Sequence, residues 1–169
     1  MSLPNLSQPP SPERIRWRQI AEAADPGKIR ALVEATGAFS AEEARTAGQL
    51  AETTLAGSET YRFLFAESGG ELLGYSCYDR IPLSEVSFDL YWIAVAPQAR
   101  GSGLAQQLLT RTAAVVKRKR GLTLYAETSS REPYAAARAF YLKSGFVEAA
   151  RFEDFYALGD AKLVFGLKI

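Results

Sequence analysis

DLYWIAVAPQARGSGLAQQLL, residues 89–109, runs from an apolar strand through a proline break and a glycine-rich turn into the start of an amphipathic helix. Pro97 cannot donate to a sheet ladder, so it marks the exit of the strand. Gly101 and Gly103 lack a Cβ and let backbone amides take left-handed or crowded conformations close to a ligand. Beyond them Leu104, Leu108, Thr112, Val115 and Val116 recur at helical spacing, which leaves the amides of Arg100 to Ala105 at a helix N-terminus. Unpaired amides at the positive end of a helix dipole attract anions, so the stretch implies a phosphate site. It has neither the Gly-Lys-Ser/Thr of a nucleoside-triphosphate loop nor the third glycine of a dinucleotide fingerprint. The pyrophosphate belongs to another ligand.

Composition narrows the chemistry. The 169 residues carry a net charge of +1, which gives no global field favouring nucleic acid or membrane. The basic run Lys117 to Arg120 sits in the last turns of a predicted helix, where cations suit the dipole, and reads as a solvated helix end. One cysteine, Cys77, leaves no internal disulfide and no multi-cysteine zinc site, so no metal is expected. There is no histidine, which excludes Ser-His and Cys-His nucleophile systems; proton chemistry falls to carboxylates, tyrosines, lysines, backbone or water. The proline- and serine-rich start predicts a flexible tail over 1–12 and a single domain over 13–169. With no signal-like core and no apolar run near the ~20 residues a bilayer span requires, a cytoplasmic location is the default.

Taken in order, Arg14 to Ile20 alternates as a half-buried strand, and Asp25-Pro26 predicts an N-cap and first helical residue for a helix ending near Gly37. Ser40-Ala-Glu-Glu43 is a capping-box pattern opening a second helix to Gly57. Tyr61–Ser68 and Glu71–Arg80 flank Gly69-Gly70 as a hairpin, with Cys77 a small core residue. The central strand and its helix follow, then a strand over Leu122–Thr128 and a helix from Pro133 to Ser144. A closing hairpin, Phe146–Leu158 and Ala161–Ile169, ends the chain.

Gln98-Ala-Arg100-Gly101-Ser102-Gly103-Leu104-Ala105 resembles the Gln/Arg-x-x-Gly-x-Gly/Ala signature of the GNAT superfamily of acyl-CoA-dependent N-acyltransferases. Ala139-Phe140-Tyr141-Leu-Lys-Ser-Gly145-Phe146 resembles that family's later helix and its glycine-phenylalanine exit. The resemblance covers about Arg14 to Ile169 and implies an α/β (α+β) GNAT fold: a mixed, mostly antiparallel sheet of about seven strands with helices on both faces. It implies acetyl-CoA as cosubstrate and transfer to a primary amine, of a small molecule, an amino acid or a protein, by direct attack. The alternative is a non-catalytic acyl-CoA sensor or interaction domain of the same fold. By position in the family, Ile93, Ala94 and Val95 bind the pantetheine arm through backbone groups, and the turn from Gln98 to Ala105 takes the pyrophosphate. Thr128 and Ser129 flank the coenzyme, while Arg138 and Lys143 either meet adenosine phosphates or are exposed. Tyr141 matches the family's general acid for the departing thiolate, or is an aromatic packed beside Phe140.

For the base the candidates are Asp89 and Glu127, or water. On strict alternation Asp89, Tyr91, Ile93 and Val95 share one face, unless a bulge breaks the parity. The family's acceptor site is formed by loops, here Thr36 to Ser40 with Phe39, Arg80 to Glu85, and the final hairpin with Asp154, Tyr156 and Asp160. Their acidic and aromatic residues suit a cationic amine. No nucleic-acid or membrane partner is expected, and a homodimer is among the options for its oligomeric state.

Overall fold

The computed structural model describes residues 15–169; the tail expected over 1–12 lies outside the described residues. Strands β1 (Arg16–Arg18), β2 (Arg62–Ser68), β3 (Glu71–Arg80), β4 (Ser87–Val95), β5 (Thr123–Ser129), β6 (Val147–Ala157) and β7 (Asp160–Lys168) form one sheet in the order β1-β2-β3-β4-β5-β7-β6. Only β4 and β5 run parallel, joined by the crossover helix α3 (Leu104–Arg118); the other neighbours are antiparallel. The seven-stranded, mostly antiparallel sheet agrees with expectation.

Helices cover both faces because each brings one apolar stripe. Leu104, Leu108 and Val116 of α3, with Tyr141 of α4 (Ala135–Lys143), bury against Leu124 and Phe165 on one side. On the other, α1 (Asp25–Ala35) and α2 (Ala41–Leu55) bury Ile29, Val33, Ala44 and Ala47 against Phe63, Tyr75 and Cys77. The two helices approach closely at Gly48, where an added Cβ would lie 2.9 Å from the Pro26 carbonyl oxygen. Cys77 is fully buried, as its reading as a core residue requires, and burial drives its thiol pKa upward.

The capping box is present: the Glu43 amide donates to Ser40 Oγ, and Glu43 Oε2 accepts from the Ser40 amide at 2.7 Å. Asp25 departs from expectation. It is the first residue of α1 rather than its N-cap, and its fully buried carboxylate accepts from the Glu22 amide and, in two parallel bonds of 2.8 Å, from Arg18. An arginine fork across the fold outcompetes a local cap for the same oxygens.

The feature that positions everything else is a bulge in β4. Cys77 faces Trp92 and Tyr78 faces Leu90, so Tyr91 has no partner on β3. At the same level β4 parts from β5, whose parallel pairing covers only Ser87–Leu90 opposite Thr123–Ala126. β5 continues to Ser129 alongside β7, leaving the β5-facing edge of Tyr91–Val95 without a strand partner. The bulge also breaks the expected alternation. Tyr91 and Trp92 both pack toward the α1–α2 core, and Ile93 and Val95 face the α3 core instead of sharing Asp89's side.

Candidate active site

The V between β4 and β5 opens into a cleft of about 560 Å3. Its first wall is β4 from Tyr91 to Val95, and its second is the end of β5, Glu127 to Ser129. A strand that stops pairing in mid-sheet exposes amide and carbonyl groups that must find another partner. Ile93, Ala94 and Val95 pair with β3 on one side only, and their other edge faces the cleft.

The glycine-rich turn borders the cleft at Arg100 and Ala105. A 3-10 turn at Pro97–Ala99 leads to Gly101 (φ 75°) and Gly103 (φ 80°), and α3 begins at Leu104 with no side-chain cap. Both glycines are required by their left-handed backbone, since an added Cβ at either would meet nothing within 4 Å. Among the described residues, no acceptor meets the amides of Gly101, Gly103, Leu104, Ala105 or Gln106. The Leu104 side chain is buried in the core, so only its amide serves the turn. Ser102 Oγ donates to the Ala99 carbonyl at 2.6 Å and stitches the turn together, while Gln98 is exposed on its rim.

Tyr141 lies at the back of the cleft, 7% exposed, with ring centroids 5.2 Å from Phe146 and 5.7 Å from Phe165. The aromatic neighbours hold a ring that also lines the cleft. Burial pushes its phenol up to about 12, so it stays protonated, a donor rather than a base, across the physiological range.

The two candidate bases separate. Glu127 lines the cleft, its Oε2 2.8 Å from Lys162 Nζ. Asp89 does not, because it lies on β4 before the strands part, opposite Tyr125 of β5. Its half-buried carboxyl is pushed up to about 6, first by burial, then by the charge of Glu127, with Lys162 opposing.

Other expected residues are distributed unevenly. Thr128 and Ser129 line the cleft, but the Ser129 hydroxyl is committed to Asp160 and to the Arg131 amide. Arg138, a candidate for adenosine phosphates, instead donates from Nη1 to the carbonyls of Ser129 and Arg131 at 2.8 and 2.7 Å; it fixes the β5–α4 turn. Arg100 lines the cleft and donates to the Thr36 carbonyl. Of the acceptor loops, Phe39, Tyr156 and Asp160 reach the cleft, while Asp154 Oδ1 closes its own hairpin by accepting from the Gly159 amide. The Arg80–Glu85 loop precedes β4, at the opposite end of the strand from the cleft, and contributes nothing to it.

Sequence reading missed several wall residues, among them Trp92, Tyr134 and Glu43. Trp92 packs on Phe39 at 5.0 Å between centroids, and Tyr134 meets Phe39 edge-on at 6.1 Å. The Tyr134 hydroxyl donates to Glu43 Oε1 at 2.7 Å, so the capping-box glutamate is also a cleft wall. Partners so far apart in the chain leave no local signal.

Residues 59–148 match the model of the acetyltransferase (GNAT) domain, and the chain belongs to the GNAT family of acetyltransferases. A protein assigned to that family from Desulfovibrio desulfuricans is 38% identical in its crystal structure, with a TM-score of 0.89 over 91% of this chain and 98% of that one. A GNAT-family acetyltransferase from Elizabethkingia anophelis, crystallised with acetyl-CoA bound, shares the fold at 18% identity, with a TM-score of 0.68 over 93% and 99% of the two chains. A curated protein of Pseudomonas phage PaMx11, named 5-NmdU N-acetyltransferase, is 36% identical over 85 residues. That match takes in 50% of this chain and 56% of the relative, a little over half its length.

Proposed function

We propose that the protein transfers an acetyl group from acetyl-CoA to a primary amine by direct attack in a ternary complex. The observation that carries this reading is the parting of β4 from β5 above Leu90, with an unpaired strand edge on one side and unpaired amides at the head of α3. The donor set fits the group: orphan N–H groups and open space at Gly101 and Gly103 suit a pyrophosphate. When bound, acetyl-CoA supplies an acyl carbon activated as a thioester.

The residues divide the remaining work. Amides of Gly101 to Gln106 hold the anion, and the edge of Ile93, Ala94 and Val95 holds the arm. A backbone donor there offsets the negative charge that develops on the carbonyl oxygen, a contribution of about 3 kcal/mol in comparable sites. The Tyr141 phenol gives its proton to the departing sulfur. Glu127 takes the proton from the amine, directly or through water, and Lys162 holds its carboxylate in place. The aromatic and acidic lining from Phe39, Trp92, Tyr134, Tyr156, Glu43 and Asp160 supports a cationic amine as acceptor.

Calorimetry with acetyl-CoA and CoA, against ATP and NAD, tests the coenzyme, and thiol release tests an amine panel. 5-NmdU, from the phage relative's name, belongs in that panel. Tyr141→Phe is expected to lower kcat about 100-fold while leaving coenzyme affinity within about twofold. An unchanged kcat removes Tyr141 as the acid; coenzyme binding without turnover on any amine favours the sensor reading.

A further inference from the structure

The α1–α2 connection is held on both sides of the cleft. Thr36, the C-cap of α1, accepts at its carbonyl from Arg100 Nη2 at 2.8 Å, and Arg100 belongs to the anion turn. On the far side Glu43, in the first turn of α2, accepts from Tyr134, just ahead of α4. Between these anchors Phe39 lies against Trp92 and Tyr134. The segment that faces an acceptor is thus suspended between the element that would hold the coenzyme and the element that precedes Tyr141.

The two anchors differ in kind. Tyr134 and Glu43 satisfy one another within the protein. Arg100 is exposed, donates one side-chain hydrogen bond and makes no ion pair among the described residues. A guanidinium presents five donors in a rigid fork, so it can serve a carbonyl and an anion together. An ammonium is a point charge on a flexible stem and does not hold both in one geometry.

Resting on the acetyl-CoA reading above, we infer that Arg100 is a positioning residue: it couples occupancy of the anion turn to the conformation of the acceptor-facing segment 37–43. With an anion on its free donors the guanidinium is fixed, and the Thr36 carbonyl is fixed with it. Occupancy of the turn is thereby felt at Phe39 and Ser40 through this one side chain.

Hydrogen–deuterium exchange of the full chain, with and without saturating CoA, tests this without knowledge of the acceptor. In the parent protein CoA is expected to slow exchange at 101–106, and at 37–43 by at least about fivefold. In Arg100→Lys at saturating CoA the response at 101–106 persists and that at 37–43 is lost. Tyr134→Phe is expected to speed exchange at 37–43 in both states alike, leaving the response to CoA in place. A response at 37–43 that survives in Arg100→Lys overturns the coupling, as does one abolished equally by Tyr134→Phe. Absence of any CoA heat or protection at 101–106 overturns the coenzyme reading itself, and the coupling with it.

Discussion

The molecule contains two clusters of one aspartate and one glutamate around a cation, arginine in the first and lysine in the second, with opposite outcomes. In the first, Arg18 of β1 bridges Asp25 of α1 and Glu67 of β2, with side chains 6%, 0% and 6% exposed. Its guanidinium forks onto Asp25 and reaches Glu67 Oε1 at 2.6 Å, its face lies 4.2 Å from the Phe65 ring centroid, and Lys28 and Arg16 flank Glu67 at 3.8 Å. The hydrogen bond to Asp25, ahead of that to Glu67, raises the guanidinium's pKa despite burial. In the second, Asp89 and Glu127 share one cation, Lys162, whose ammonium also lies 4.7 Å from the Phe155 ring centroid. Glu127 is 48% exposed, and Asp89 has no hydrogen-bond donor among the described residues. Buried charges that are matched donor for acceptor clamp three elements together. A carboxylate left short of donors beside another carboxylate holds its proton toward neutrality.

The comparison breaks most visibly at Arg18. Arg18→Ala leaves the buried Asp25 carboxylate without a cation and Glu67 with only Arg16 and Lys28 at 3.8 Å, and is expected to cost about 3–5 kcal/mol in urea unfolding. A loss below about 1 kcal/mol would mean the cluster is not a clamp. Asp89→Asn comes next, with the opposite sign. The folded-state pKa of Asp89, about 6, exceeds the ordinary unfolded value near 4, so the native state binds the extra proton. Wild-type stability should therefore fall as pH rises from about 4 to about 6 and stay reduced above it. Discounted for half exposure, the asparagine variant gains about 1 kcal/mol at pH 7 and loses that advantage below pH 4. Urea midpoints across that range check it; parallel profiles for the two proteins would reject it. The smallest effect is expected at Arg16, whose side chain is 70% exposed: Arg16→Gln should change stability by less than about 0.5 kcal/mol. A larger loss would extend the clamp to the surface.

What could be read from the chain was whatever a short window encodes. The glycine turn, the capping box at Ser40 and the Gly69-Gly70 hairpin each depend on neighbours within a few residues, and each stands where expected. The order of elements along the chain followed from the same local patterns, whereas the place of β7 between β5 and β6 in the sheet did not. The bulge at Tyr91 was not legible, because it is a register difference between β3 and β4 rather than a property of either strand. It sets which face each later residue of β4 takes, and so turns Ile93 and Val95 away from Asp89's side. The partners of Asp25, Arg100 and Arg138 were hidden for a related reason: a long cationic side chain reaches acceptors that proximity in sequence does not suggest.

Cys77 gives the fold its own gauge. The chain's single sulfhydryl is sealed between the sheet and α1–α2, and the folded protein should be silent toward an aromatic disulfide reagent. Colour developing during turnover then reports coenzyme thiol alone, with no background from the enzyme. In the absence of substrate, the slow labelling that remains counts openings of the central sheet, so the same reagent times both the reaction and the breathing of the core around it.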